Sequence, residues 1–370
     1  MQSIPFYSLA FQNQSVERKL GLAIPKISQS GQFILGPAVE DFEKKYAEYQ
    51  RTKYCVGVGN GHDALLIALK ALNIGRGHEV LVPSHTCQAT WLAVRNAGAT
   101  PVPVEVDPAT YTLDVNRIES QVTTRTRAII PVHLYGQPCA MDRIMDIARK
   151  HDLSVVEDNA QAHGARYHRK MTGSWGHCNA TSFYPTKNLG AWGDGGAITT
   201  ADGKLAAFAR AFRHYGTTAK DVHAMHGVNS RLDELQAAIL NIKLAKLENW
   251  NSMRVRHAAN YMRQLQGVGD ILLPPAPTPT CQPVFHLFVI QTSQRDKLKR
   301  HLARKGIETA IHYPRPIHRQ EAYADLKLKM GSLPSAERLS NSVLSLPIWP
   351  GLAAADVTRV AKEIRNFFGH

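Results

Sequence analysis

The sequence predicts an α/β fold, with a mostly parallel sheet covered by helices in a large domain and a smaller α+β region after it. Three observations predict it. Between residues 54 and 159, short apolar runs alternate with helical patterns, the signature of strands buried on both faces by crossover helices. From Leu232 to Leu265 the chain contains neither proline nor glycine and reads as one long helix. Residues 272–280, LLPPAPTPT, are proline-rich and read as a linker into the smaller region. The expected division is an N-terminal arm and large domain over 1–250 and a small C-terminal domain over 251–370.

The elements follow in order. Residues 1–15 show no clear period and read as an extended arm. ERKLGLAIPKI and GPAVEDFEKKYAEYQ are helical in pattern, the second with Val39, Phe42, Tyr46 and Tyr49 at apolar spacing. YCVGVGNG, residues 54–61, is a strand running into glycines, and HDALLIALKALNI is rich in strong helix formers. HEVLVPS (78–84), TPVPVEV (100–106), TRAIIPVHL (126–134) and LSVVEDN (153–159) read as strands. Helices are expected from about Thr90 to Ala97 and over MDRIMDIARKH (141–151). After the linker come a strand, VFHLFVIQT (284–292), a helix, DKLKRHLARKG (296–306), and a closing helix over 355–369.

Composition narrows the function. With 370 residues, 44% hydrophobic and 20% charged, the chain has ample material for a core. Its net charge of +14 suits an anionic ligand. The basic residues are scattered, without a run of five or six like charges, which argues against a nucleic-acid-binding tail. Cys55, Cys87, Cys139, Cys178 and Cys281 form no CxxC pair, which argues against a zinc site and for reduced thiols. No signal-peptide core and no apolar run of ~18 residues is visible. A soluble, cytoplasmic chain is expected, with no metal, nucleic acid or membrane as partner.

The chemistry concentrates around Lys187, within SFYPTKNLGAWGDGGAI (182–198), and Asp158, which closes the apolar run LSVVED. A lysine amine near a strand-end carboxylate is what pyridoxal 5'-phosphate needs. The amine forms a Schiff base with the aldehyde, and the carboxylate keeps the pyridine nitrogen protonated. Such a lysine must be partly desolvated for its amine to be free at neutral pH. GNGHDAL, residues 59–65, puts glycines at a strand end and opens a helix at once, a place for a phosphate. It is not a GxGxxG fingerprint, so a nicotinamide site is poorly supported. Ser182 offers a hydroxyl to the phosphate, and Tyr184 can face a substrate. Asp158 or Asn159 could instead cap the following segment. The polar cluster RLDELQAA has no chemistry legible from spacing alone.

In order along the chain stand GNGHDAL, VPSHT, PVHLYGQ, EDNAQAHGA, SFYPTKNLGAWGDGGA, GVNSRLDELQAAIL and IHYPRPIH. Together they resemble the DegT/DnrJ/EryC1/StrS family of pyridoxal-phosphate-dependent nucleotide-sugar aminotransferases, from PFYSL at 5–9 to LSLPIWP at 344–350. HTCQATWLAV and PVPVEVDPATYTLD are most similar to members that make 3-amino-3,6-dideoxyhexoses on dTDP. The resemblance implies an aspartate-aminotransferase-like, fold-type-I enzyme that takes its amine from L-glutamate. It implies Lys187 as the cofactor lysine and proton shuttle, Asp158 on the pyridine nitrogen and Gln161 on the ring hydroxyl. Gly61, His62 and Ser182 fall at phosphate positions. Asn229 matches an asparagine that reaches the phosphate from a neighbouring subunit, so a homodimer with shared active sites is implied. Tyr184, His312 and Tyr313 fall where family members contact the sugar, and Lys220 where a basic residue crosses to the partner's nucleotide sugar.

Three positions depart from the family pattern. Cys87 stands where an aromatic residue usually lies against the cofactor ring, leaving His85 or Trp91 to compensate. His62 replaces a common threonine or leucine, and Asp221 a tyrosine. A related branch with histidine at the lysine position is a dehydratase, and Lys187 argues against it. Amination at C4 rather than C3 of the sugar, or a non-catalytic regulatory role, are the alternatives.

Overall fold

The computed structural model describes residues 3–369. Its centre is a seven-stranded sheet in the order Tyr54–Val58, Gly196–Thr200, Cys178–Ser182, Ser154–Asp158, Thr126–Ile129, Glu79–Pro83, Thr100–Val104. The last five are joined by parallel pairings. Gly196–Thr200 runs antiparallel to both of its neighbours. The α/β class, with a mostly parallel sheet, is therefore as the sequence predicts. The two strands absent from the sequence reading, Cys178–Ser182 and Gly196–Thr200, flank the segment that carries Lys187. Apart from Asn179 and Ile198 their residues are small or threonine, and only burial between neighbours identifies them as core strands.

The edge strand TPVPV shows how local chemistry shapes the sheet. The backbone of Thr100 donates inward to His78, and that of Val104 accepts from Ser84. Pro101 and Pro103 occupy the intervening positions, so the outward side of this edge has lost its donors, a guard against strand addition.

Helices cover both faces. The predicted helix over 232–265 is two helices, Glu234–Leu244 and Leu247–Leu265. No glycine or proline separates them. Near the break the halves share cores, Leu247 with Leu240 and Trp250 with Ile239, and only the far end of the second helix enters a separate one. Ala237 and Leu240 pack with Phe42, Tyr46 and Phe183. Ala258, Tyr261 and Leu265 pack with Phe288, Leu346 and Val360 in a second core. Helix propensity does not mark this break.

The second core also holds Ile4. The predicted arm includes residues 1 and 2, which lie outside the described residues. Beyond them it is only partly extended. Ile4 forms a parallel bridge with Ile307, and the chain then winds into a short helix, Ala10–Gln14. The predicted strand over 284–292 is confined to Phe288–Gln291, paired with Val343–Leu346. Among the described residues no helix is long and apolar enough to cross a membrane.

Candidate active site

Loops at the carboxyl ends of the parallel strands converge on one cavity of about 310 Å³. Thr86 and Cys87 follow Glu79–Pro83, Val132 follows Thr126–Ile129, and Ala160 and Gln161 follow Ser154–Asp158. This is where ligands of open α/β sheets bind. Asn60, Gly61 and His62 enter from the start of the helix Gly61–Ala71, and Ser182, Tyr184 and Lys187 from the loop after Cys178–Ser182. Three larger grooves, of about 720, 990 and 450 Å³, lie beside the edge strand, beside Leu272 and beside Ile307. None is lined by a histidine or cysteine, and only the last by a lysine, Lys299, without a strand-end aspartate, so chemistry rather than volume selects the smaller cavity.

Adjacent residues of a strand point to opposite faces, and this separates Glu157 from Asp158. Glu157 turns away from the cavity and accepts from His133 and from the backbone N–H groups of Gly173, Trp175 and Gly176. Asp158 lines the cavity. Its Oδ2 accepts from the Thr90 hydroxyl at 2.9 Å and its Oδ1 from the Ala160 N–H at 3.2 Å. Burial raises the Asp158 pKa, opposed by those two donors and by Lys187. The Ala160 contact is a local turn bond, so the capping alternative and the cavity role coexist in one side chain.

Lys187 is half-buried and lines the cavity. Burial lowers its pKa, with Cys87 and Asp158 pulling the other way. That is the direction a nucleophilic amine requires. The surrounding imidazoles are neutral: burial brings His163 down to about 3 and His312 to about 4, and the Lys187 charge adds to both shifts.

The phosphate end is legible in steric terms. A Cβ on Gly61 would come within 2.5 Å of the Ser182 Cβ, so only glycine lets this helix start lie against the serine. Asn60 caps the helix, its side chain accepting from the Asp63 N–H at 2.8 Å. The His62 ring is committed elsewhere, Nδ1 to Asp63 at 3.0 Å and Nε2 to Asn96 at 3.1 Å. What His62 can offer a phosphate is its backbone N–H. Gln161 is clamped between the Tyr135 N–H, 2.7 Å from Oε1, and the Tyr313 hydroxyl, 3.3 Å from Nε2. A helix N-terminus with a serine hydroxyl at one end, a buried carboxylate at the other and an amine between them fit pyridoxal phosphate.

Cys87 caps the helix Gln88–Asn96 and is half-buried against the cavity. Neither His85 nor Trp91 lines the cavity beside it. His85 is bound to the Tyr135 hydroxyl at 2.9 Å. Trp91 is a core residue whose indole donates to Pro83. The wall is instead built from the small side chains of Cys87 and Ala89, and burial together with the nearby Cys87 pushes the Tyr313 phenol up.

His312 is tied to Ser345 at 2.8 Å and stacks on Phe6 of the arm. Tyr184 is 53% exposed at the cavity. Lys220 and Asn229 are exposed and do not line this cavity. Lys220 sits at the turn of the hairpin Thr217–Ala219/Val222–His223, and Asn229 bridges His214. Sequence reasoning passed over Thr90, Tyr135, His163, Asn188 and His286. The signal of His163, Tyr135 and Asn188 lay within EDNAQAHGA, PVHLYGQ and PTKNLG, but their partners are remote in sequence; Thr90 and His286 lie outside those segments. The cluster RLDELQAA resolves as structural. Glu234 accepts from the N–H groups of Gly36, Ala38 and Val39 and so caps the helix Pro37–Gln50.

This layout, on a mostly parallel sheet, defines a class, the pyridoxal-phosphate-dependent aminotransferases. The model of the DegT/DnrJ/EryC1/StrS aminotransferase family matches residues 15–365, and the chain belongs to that family. It is 47% identical over 364 residues to dTDP-3-amino-3,4,6-trideoxy-alpha-D-glucose transaminase of Streptomyces venezuelae, covering 98% of this chain and 96% of the relative. It is 43% identical over 364 residues to UDP-N-acetyl-3-dehydro-alpha-D-glucosamine 3-aminotransferase of Acidithiobacillus ferrooxidans, covering 98% of each. The crystal structure of S. venezuelae DesV in complex with ketimine intermediate superimposes with a TM-score of 0.98 at 46% identity, covering 100% of both chains. The protein is thus a nucleotide-sugar aminotransferase that depends on pyridoxal phosphate.

Proposed function

We propose that this aminotransferase moves the amino group of L-glutamate to C3 of a dTDP-linked 3-keto-6-deoxyhexose, giving a dTDP-3-amino-3,6-dideoxyhexose. The observation that carries the chemistry is the convergence of Lys187, Asp158, Gly61 and Ser182 on one cavity. Both relatives named above act, by their names, at position 3 of the sugar, which supports C3 over C4; they differ in the nucleotide.

When bound, pyridoxal phosphate supplies the carbonyl that receives the amine and the electron-withdrawing ring. In this reading Lys187 is the covalent anchor and then the general acid–base that moves a proton at its Nζ. Asp158 holds a proton on the ring nitrogen, since a carboxylate favours a cationic neighbour. Gln161 meets the ring hydroxyl. The N–H groups of Gly61 and His62 and the Ser182 hydroxyl take the phosphate. Cys87, on the cavity wall, would face the ring and leave more room there than an aromatic residue. Tyr184, His312 and Tyr313 line the sugar's approach. Lys220 and Asn229 act on the cavity of a second copy in a cytoplasmic homodimer. Their exposure away from their own cavity supports this, as do the exposed Trp192, Tyr215 and Val222.

The test is an assay with L-glutamate and purified keto-6-deoxyhexoses linked to dTDP or UDP, the product read by NMR. An amine at C3 of the dTDP sugar is expected. An amine at C4, or turnover of UDP sugars alone, overturns the respective part of the proposal.

A further inference from the structure

The residue after the lysine has an unusual environment. Asn188 is 1% exposed, and its amide is fully used. Nδ2 donates to Asn251 Oδ1 at 2.8 Å and lies 3.4 Å from the Val284 carbonyl, while Oδ1 is 3.1 Å from His286 Nδ1. Asn251 in turn donates from Nδ2 to the His163 carbonyl at 2.8 Å. The chain of bonds therefore leaves the lysine loop, touches the helix Leu247–Leu265 and returns to the loop after Asp158.

Its direction is set at the ends. The carbonyls of His163 and Val284 can only accept. Asn251 must then present Nδ2 to His163 and Oδ1 to Asn188, and Asn188 must present Nδ2 to both Asn251 and Val284. That leaves Asn188 Oδ1 as an acceptor, so His286 must donate from Nδ1. The ring is the Nδ1–H tautomer, with its Nε2 lone pair free of this chain.

Two further features hold the assembly in place. Gly164, at φ +89°, leaves the space that Asn251 enters: a Cβ there would meet Asn251 Nδ2 and the Tyr49 hydroxyl at 2.6 Å each. Three residues on from Asn251, the buried Arg254 guanidinium donates to the carbonyls of His286 at 3.2 Å and Ile348 at 3.0 Å. The 284–286 segment is thereby fixed from the helix side as well.

We propose that Asn188 is a positioning residue for Lys187: its amide keys the lysine loop to the helix Leu247–Leu265 and to the 284–286 segment and locks His286 in one tautomer. This rests on Lys187 being the cofactor lysine. The groups around the assembly are Lys187, Arg254, His163, His286 and His312, with Asp158 and Cys87 on the cavity side of Lys187. Burial, Lys187 and Arg254 keep His286 neutral. The assembly thus orients the lysine by fixed hydrogen bonds rather than by charge, and loss of that orientation acts on kcat rather than on KM.

The test uses full-length enzyme reconstituted with pyridoxal phosphate, comparing N188A, N188D, H286N and H286L with the parent. Borohydride reduction followed by peptide mapping first asks whether the cofactor sits on Lys187. N188A is expected to lower kcat by about 10–100-fold with KM held within about twofold, the scale of a ~1 Å misplacement. N188D places a carboxylate beside the lysine and is expected to raise the pH midpoint of the bound-cofactor absorbance by about one unit. Asparagine can reproduce the Nδ1–H donor, so H286N is expected to keep kcat within about threefold while H286L falls with N188A, at matched melting temperatures. If reduction labels another lysine, the reading of the site fails and the proposal with it. If it labels Lys187 but N188A and N188D keep the parental kcat and titration, the proposal alone fails. If H286N falls as far as H286L, the tautomer assignment fails.

Discussion

Glu157 and Asp158 are neighbours in the chain, both carboxylates, both buried, and opposite in situation. Glu157 meets three backbone N–H groups and one imidazole, so its charge is matched by donors the fold provides. Asp158 has one hydroxyl and one backbone donor, faces a cavity, and is pushed by burial toward its neutral form. The difference separates structural from chemical use of a charge. A carboxylate saturated by fixed donors holds loops together. One left short of donors at a cavity is poised to receive a cationic ligand group.

The strongest challenge to the cavity side of this contrast is Lys187→Ala. Turnover should fall by at least about 10³-fold, within what a general acid–base group supplies, and the protein should purify colourless. A yellow, active K187A enzyme would break the assignment. Next is Asp158→Asn, expected to lose about 10²-fold or more in kcat. Its effect on stability has the opposite sign. A carboxylate whose folded pKa is raised above the unfolded value destabilises the fold at neutral pH, so cofactor-free D158N should melt no lower than the parent. A lower melting temperature would show that Asp158 is structural after all.

Glu157→Ala tests the other side. It strands buried donors and should destabilise by about 3–5 kcal/mol, while the enzyme that remains folded keeps most of its kcat. Equal activity loss in E157A and D158N, at matched stability, would erase the distinction. A further effect is in acid. His85 and His312 are brought from 6.5 to about 4 and His163 to about 3, all chiefly by burial. The unfolded chain therefore binds more protons below about pH 6.5, and stability falls as pH drops from there toward 4. A melting temperature that stays flat from pH 7.5 to 5 would contradict the buried, neutral imidazoles.

Much of the site was legible because its chemistry is local. Gly61 before a helix, Asp158 at a strand end and Lys187 in a glycine-rich loop each declare themselves within a few residues. Thr90 was not legible, since nothing around QATWLAV says that its hydroxyl meets Asp158, 68 residues on. Cys87 was read as a missing ring partner to be replaced by His85 or Trp91. Both proved to be engaged elsewhere, because the bonds that hold them, to Tyr135 and Pro83, come from other segments.

Alternating apolar runs were enough, by themselves, to determine the α/β class, while glycine placement and the identity of the ionisable residues pointed to the cofactor chemistry that the family resemblance implied. They encode burial, backbone freedom and charge, all local properties. Tertiary structure alone decided that 232–265 is two helices, that Glu234 is a cap, and that Asn188 reaches partners 63 and 98 residues away. Buried polar groups must find partners wherever packing brings them, and no sequence window contains both ends of such a bond.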